Sequence, residues 1–230
     1  MILYITMDYI IILLATILIV VIAYMISTAV STTTTMSKEV DMKDKTADIS
    51  ASSLTRPDAT RYAYNVWVYM DKPVSGASDV AIFNRAEDLG VFINGATSTL
   101  TLKLKRKNTT TTYQITNNFP LQKWVLITIS VDNSTIDMYL DGKLVKSVID
   151  VSDINRHMPD ATSPITFGVL PGTYMTKFSR VLSPSDPQTA WSLYMEGSGS
   201  KKGLSNLASR YNVNLSLMKD NVVANSFSLW

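Results

Sequence analysis

The chain has 230 residues, a formal net charge of +2, no cysteine and a single histidine. Near-neutral charge excludes a global field that would drive the whole surface onto nucleic acid or an acidic partner, and the lack of cysteine excludes disulfide support, so the fold must hold by burial alone. With His157 and three glutamates, Glu39, Glu87 and Glu196, beside the aspartates, the inventory for acid–base catalysis or metal ligation is thin.

Residues 1–8 form a short N-terminal tail. From Tyr9 to Val30 the chain reads YIIILLATILIVVIAYMISTAV, without a charge. As a helix of about 1.5 Å per residue this stretch reaches about 33 Å, so a transmembrane helix is expected over 9–30. It lacks the basic start of a cleaved signal peptide and exceeds the usual length of its apolar core, so it is expected to stay attached as a single-pass anchor in a lipid bilayer. Lys38, Lys43 and Lys45 follow the span and no Lys or Arg precedes it, which puts the bulk of the chain on the cytoplasmic side. On that topology the sequons at Asn108, Asn133 and Asn214 stay bare.

Residues 31–60, beginning STTTTMSKEVDMKDKT, are polar without a sustained apolar period and read as a stalk. From Arg61 the pattern changes to short runs of period two rich in Val, Ile, Thr, Tyr and Trp. Strands are expected at 61–71, 79–84, 90–94, 98–107, 111–116, 124–132, 135–141, 143–149, 164–169 and 173–182. Many short strands with turn signals between them predict an all-β, antiparallel two-sheet sandwich over 61–197. Asp132-Asn133-Ser134 and Asp141-Gly142 supply hairpin turns. Along 124–132, Val125, Ile127, Ile129 and Val131 alternate with Leu126, Thr128 and Ser130, so one face belongs to the core. After Leu182, Ser183 or Ser185 can cap a short helix that ends before Gly197. Residues 198–230 hold a Gly/Ser linker and a C-terminal β-hairpin turning at Lys219-Asp220-Asn221.

The order YNVWVYMD, then LQKWVLITISVDNSTIDMYLDGKLVKSV, then ITFGVLPGTYMTKFSRVLSPSD before a short helix resembles the concanavalin A-like lectin/glucanase superfamily in its laminin-G-like branch. The resemblance covers about 60–197 and rests most on Trp124, the Asp141-Gly142 hairpin and the turn from Arg180 to Pro184. It implies a jelly-roll sandwich. Trp67 and Trp124 read first as packing aromatics rather than sugar platforms, and Arg180 as a strand-end partner for a carboxylate. Glucanase members use two glutamates flanking an aspartate on one strand face; no such triplet occurs here, and Glu87-Asp88 are adjacent, so no enzyme and no catalytic residue is expected. Some laminin-G-like domains hold a rim calcium, for which Asp79, Asn94, Asp150 and Asp153 are the candidate oxygen ligands; loop carboxylates are more often simply solvated, and no cofactor is expected.

Lys103, Lys105, Arg106 and Lys107 concentrate positive charge in one strand. They could meet phosphate, lipid head groups or an acidic protein, but a charged edge strand that blocks sheet-to-sheet pairing is the simpler reading. No aromatics interleave, so nucleic acid is not an expected partner. His157 has no second histidine or cysteine to share a metal and reads as an ordinary surface residue. A short outside tail, an uncleaved anchor and a cysteine-free cytosolic sandwich together resemble minor capsid proteins of large DNA viruses with an internal membrane. The expected function is a non-enzymatic structural link between a virion membrane and a protein shell. Tyr211, Leu215, Phe227 and Trp230 of the hairpin would dock on neighbouring capsid or scaffold proteins. The alternative is a membrane-anchored lectin or adhesin that binds glycan, with the domain facing outward.

Overall fold

The computed structural model of the protein describes residues 13–22, 33–36, 38–76, 78–86, 88–106, 109–150, 158–200, 214–219 and 222–228. Two antiparallel sheets stack face to face. The larger has the order β1 (Thr33–Met36), β12 (Thr173–Val181), β3 (Arg61–Met70), β8 (Trp124–Asp132), β9 (Thr135–Leu140), β10 (Lys143–Ile149), with β2 (Val40–Asp41) also paired to β12. The smaller has the order β11 (Ile165–Phe167), β4 (Asp79–Arg85), β5 (Leu89–Asn94), β6 (Leu100–Arg106), β7 (Thr109–Thr116). The ten expected sandwich strands all appear, their ends within two residues of expectation, because period-two alternation can bury one face of a strand and no face of a helix.

The core lies between the sheets. Tyr64, Val66 and Val68 of β3, Ile127 and Ile129 of β8, and Ile136 and Met138 of β9 face Val91, Ile93, Leu102 and Leu104 of β5 and β6, all at most 1% exposed. Each such side chain stabilises the fold by about 1.5–3 kcal/mol through loss of apolar surface to water. At one end Phe178 sits 5.3 Å from Phe83 and 5.1 Å from Phe167, edge to face in both cases, which favours ring edge over ring face.

Two buried guanidiniums fasten loops to this core. Arg180 donates to the carbonyls of Thr55 (2.9 Å) and Arg56 (3.2 Å) and lies over the Tyr62 ring at 4.9 Å. It is not the strand-end partner of a carboxylate expected from sequence; a chain loop supplies the acceptors. Arg85 donates to the carbonyls of Ser163 (3.2 Å) and Asp160 (2.7 Å), and its guanidinium lies 3.6 Å from the Asp88 carboxylate, to which the Tyr62 hydroxyl also donates at 2.6 Å. A buried charge is tolerated only with such partners.

The larger sheet buries its outer face too. Ala63, Asn65, Trp67 and Tyr69 are at most 5% exposed although they point away from the core. The helix Pro187–Met195 lies over Trp67, on which Tyr194 stacks with ring centroids 5.8 Å apart, and Tyr69 packs against Trp124 and Tyr174. Its N-cap is Asp186, whose carboxylate accepts from the Thr189 N–H at 2.7 Å, rather than Ser183 or Ser185; Pro187 fits only the first helical position, so the cap falls on the residue just before it. The helix rests on the Asp141-Gly142 turn, where both residues have positive φ, 49° and 74°, as a tight hairpin requires.

Several expectations need correction. Residues 31–60 are not a free stalk as far as they are described: β1 and β2 pair with β12, and Met42 (0% exposed) and Leu54 (5%) enter the core. Interspersed apolar residues rather than a period carry that burial, which is why the segment looked structureless. Helical residues 13–22 fall inside the expected transmembrane span, with Leu13 60% and Val20 66% exposed, yet ten such residues reach only about 15 Å. Among the described residues no helix is long and apolar enough to cross a membrane; 9–12 and 23–30 of the expected span lie outside them. The basic strand β6 is no edge, since it pairs with β5 and β7. The C-terminal hairpin forms as β13 (Asn214–Lys219) and β14 (Val222–Ser228), a two-stranded sheet of its own.

An added methyl at Gly142 would meet the Trp191 Cα and the Tyr194 Cβ at 3.0 Å, in a left-handed backbone conformation. Gly142→Ala is expected to destabilise the domain by about 1–3 kcal/mol, read as a lower denaturant midpoint with an unchanged slope.

Candidate functional site

Polar residues alternate with the core positions of β8 and β9, so they must all emerge on the outer face of the larger sheet: Ser130 and Asp132 from β8, Thr135, Asp137 and Tyr139 from β9. Strand register brings Arg61 of β3 opposite Asp132, and the two form a double contact, 2.9 Å and 3.2 Å. The segment from Leu182 to Pro187 then folds over this face, held by the Ser185 N–H donating to the Ser130 hydroxyl (2.8 Å) and the Tyr139 hydroxyl donating to the Ser185 carbonyl (3.3 Å). Between the strands and this segment runs a groove of about 400 Å³, with Arg61, Asp132, Thr135, Asp137 and Ser183 among its walls. A second depression of about 320 Å³ continues it past Arg61 and Ser183 to Arg56 and Thr60, the loop whose carbonyls Arg180 holds.

The groove offers carboxylates that only accept, a guanidinium that only donates, and hydroxyls that do both. Asp186 accepts the helix's first-turn N–H, and this hydrogen bond holds its carboxyl below the usual carboxylate range. Asp132 is bound to Arg61 and Asp137 accepts from the Ser147 hydroxyl. Tyr139 is pushed up to about 12, first by burial and then by the carboxylates of Asp137 and Asp186. The arrangement is suited to a neutral ligand rich in hydroxyls, each of which is donor and acceptor at once, and its volume is that of a small-molecule site.

The residues singled out from sequence lie elsewhere. Lys103 is no free cation: its ammonium sits 2.7 Å from Asp79 and 4.6 Å above the Phe92 ring. That bond, with a second from the Asn94 amide, lowers the Asp79 carboxyl below the usual range. Lys105 is exposed in the same strand; the side chain of Arg106, and Lys107, lie outside the described residues. Of the calcium ligands considered, Asp79 and Asn94 are together but Lys103 occupies the carboxylate, Asp150 lies at the end of β10 with its N–H on the Ser134 carbonyl (2.8 Å), and Asp153 falls outside the described residues. Among the described residues no three metal-ligating side chains converge. His157 lies outside them, as do Tyr211 and Trp230, whereas Leu215 and Phe227 are direct register partners across the hairpin. Trp67 is buried under Tyr194 and Trp124 packs 5.6 Å from Tyr69, both in packing roles.

Sequence reasoning missed the groove because it depends on which strand lies beside which. The available signals were the polar alternation of Thr128, Ser130 and Asp132 and the Ser-Pro turn at 183–184, neither of which says that they meet.

The fold is an antiparallel two-sheet sandwich of the concanavalin A-like type. The chain belongs to the concanavalin A-like lectin/glucanases superfamily, whose sequence profile matches residues 41–181. A search of curated proteins returned no match. Among solved structures it is similar to the receptor binding domain of botulinum neurotoxin mosaic serotype C/D, with a TM-score of 0.51 and 14% identity over 72% of this chain and 46% of that one. The binding domain of Paraclostridial Mosquitocidal Protein 1 gives a TM-score of 0.50 and 11% identity over 71% and 45% of the two chains. These identities speak to the fold alone, and the chain spans less than half the length of either structure.

Tyr139 tests the geometry. Because its folded value is raised, the stability it contributes is complete below the ordinary tyrosine range near 10 and is lost as pH climbs toward about 12. Alkaline absorbance titration is expected to show one fewer late-ionising phenol in Tyr139→Phe than in the parent chain.

Proposed function

We propose that the protein is a non-catalytic, lectin-like recognition module, held at a membrane by its N-terminal apolar segment, that takes a hydroxyl-rich sugar in the groove between β8, β9 and the 182–187 segment. One observation carries the reading: in a chain of this superfamily, the groove presents Arg61, Asp132, Asp137, Thr135 and Ser183 together as matched donors and acceptors. Asp132 and Asp186 are both occupied as acceptors, by a guanidinium and by a backbone amide, which argues against either serving as a general acid. The apolar run 9–30, exposed wherever it is described, supports the tether. The lectin reading puts the sandwich outside, opposite to the side favoured by Lys38, Lys43 and Lys45.

Calorimetric titration with a panel of neutral mono- and disaccharides is expected to find a binder. Asp137→Ala is expected to weaken it about tenfold, the effect of losing one charge-assisted hydrogen bond, and protease treatment of intact membranes to remove the sandwich. A panel with no binder, or full affinity in Asp137→Ala combined with Ser183→Ala, speaks against the groove.

A structural role, as in a minor capsid protein joining an internal membrane to a shell, has one observation in its favour. The hairpin β13–β14 pairs with neither sandwich sheet, and two strands alone are marginal in water. On this second reading, truncation after Gly203 leaves the unfolding midpoint of the sandwich unchanged and abolishes co-assembly in purified particles; normal incorporation of the truncated chain removes it.

A further inference from the structure

Strand register fixes which end of the sandwich the N-terminal segment leaves from. Thr33 lies opposite Val181, Val181 opposite Ala63, Ala63 opposite Ser130, and Ser130 opposite Asp137. This single row joins the first residue of β1 to two walls of the groove. Two interstrand steps of about 4.8 Å put Thr33 about 10 Å from Ala63, and Arg61 stands two residues beyond it toward the open end. From Thr33 to Met36, β1 runs antiparallel to β12 and so away from that end; the N-terminus of β1 therefore lies on the side of Arg61, Asp132 and Thr135.

The covering helix runs the same way, away from the groove end. It starts beside Ser185, which is bonded to Ser130 in the same row, and ends with Tyr194 beside Gly142 and Trp67. Glu196 thus lies at the far end and the hairpin tip at Ser134 at the near end. Ten residues separate Ile22, the last described helical position, from Thr33.

We infer that the groove opens toward the membrane that carries the chain, and that its ligand is a sugar headgroup of that same bilayer rather than a free saccharide. This rests on the tethered, sugar-binding reading above and adds the direction from which the ligand comes. Confinement to one surface raises the effective concentration of such a headgroup, so a weak site suffices.

The chain has no cysteine, so single reporters are clean. The full chain carrying Ser134→Cys or Glu196→Cys, each labelled with a fluorophore, is reconstituted in phosphatidylcholine vesicles containing a lipid with a quencher on its headgroup. The Ser134 reporter is expected to be quenched several-fold more than the Glu196 reporter; equal or reversed quenching overturns the proposed orientation. Galactosylceramide in the vesicles is expected to change the Ser134 signal, and free galactose to match it only at about 100-fold higher concentration. Equal potency of the two, or a response to the free sugar alone, overturns the membrane as the ligand's source and leaves the lectin reading standing. A chain that fails to float with vesicles overturns the tether itself, an outcome separate from sugar binding in calorimetry.

Discussion

The structure turns on charge buried where a sandwich normally holds only apolar side chains. Arg180, 2% exposed, cannot leave its guanidinium unsatisfied in a low-dielectric interior, and the acceptors it takes are carbonyls of the loop at Thr55 and Arg56. That loop is thereby drawn onto the end of the sandwich, where Arg56 and Thr60 become a wall of the smaller depression. Arg85 does the same for the turn from Asp160 to Ser163, with Asp88 and Tyr62 closing the network. Without these cations the two sheets would still find each other through Val, Ile and Leu, but the loop at Arg56 that walls the smaller depression, and the turn from Asp160 to Ser163, would lose the anchors that hold them.

A second constraint is that the larger sheet is covered on both faces. Asn65 and Thr128 hydrogen-bond to each other beneath the cover (2.9 Å), and Ser130 receives the Ser185 amide, so polar positions that would suit a wetted surface are instead satisfied by chain. The groove exists because this cover stops short at Pro187 and leaves Asp132, Thr135 and Asp137 uncapped. The open side between the sheets is closed differently: Lys146 crosses from β10 to the Gln114 carbonyl (3.2 Å) and lies over the Tyr113 ring at 5.9 Å. Its aliphatic stem shields the seam while its ammonium finds an acceptor.

Much of this was legible from residue order. The alternation Val125, Ile127, Ile129, Val131 against Leu126, Thr128, Ser130 determined both a strand and its core face, and Asp141-Gly142 determined the following turn, because those signals act over two to four residues. The N-terminal edge strands escaped notice since Thr33–Met36 and Val40–Asp41 are too short to show a period, and they form only because β12 presents unpaired amides and carbonyls to them. The described helical residues at 13–22, LLATILIVVI, are apolar but for Thr16, whose hydroxyl donates back to the Leu13 carbonyl (2.8 Å). Site residues were the least legible: Lys103 looked like part of a basic patch, but sheet register set it against Asp79, and Arg61 meets Asp132 across 71 positions of chain.

The pairing of β1 with β12 also has a mechanical meaning. Its register runs from Thr33 opposite Val181 to Met36 opposite Phe178, and a pull through the residues before Thr33 acts along the strand axis. Bonds perpendicular to that axis are strained in parallel rather than opened one after another like a zip, so even a four-residue strand resists a sudden load applied at Thr33. A load applied at Thr33 is thus borne first by the β1–β12 seam, one strand removed from β3 and two from the groove strand β8.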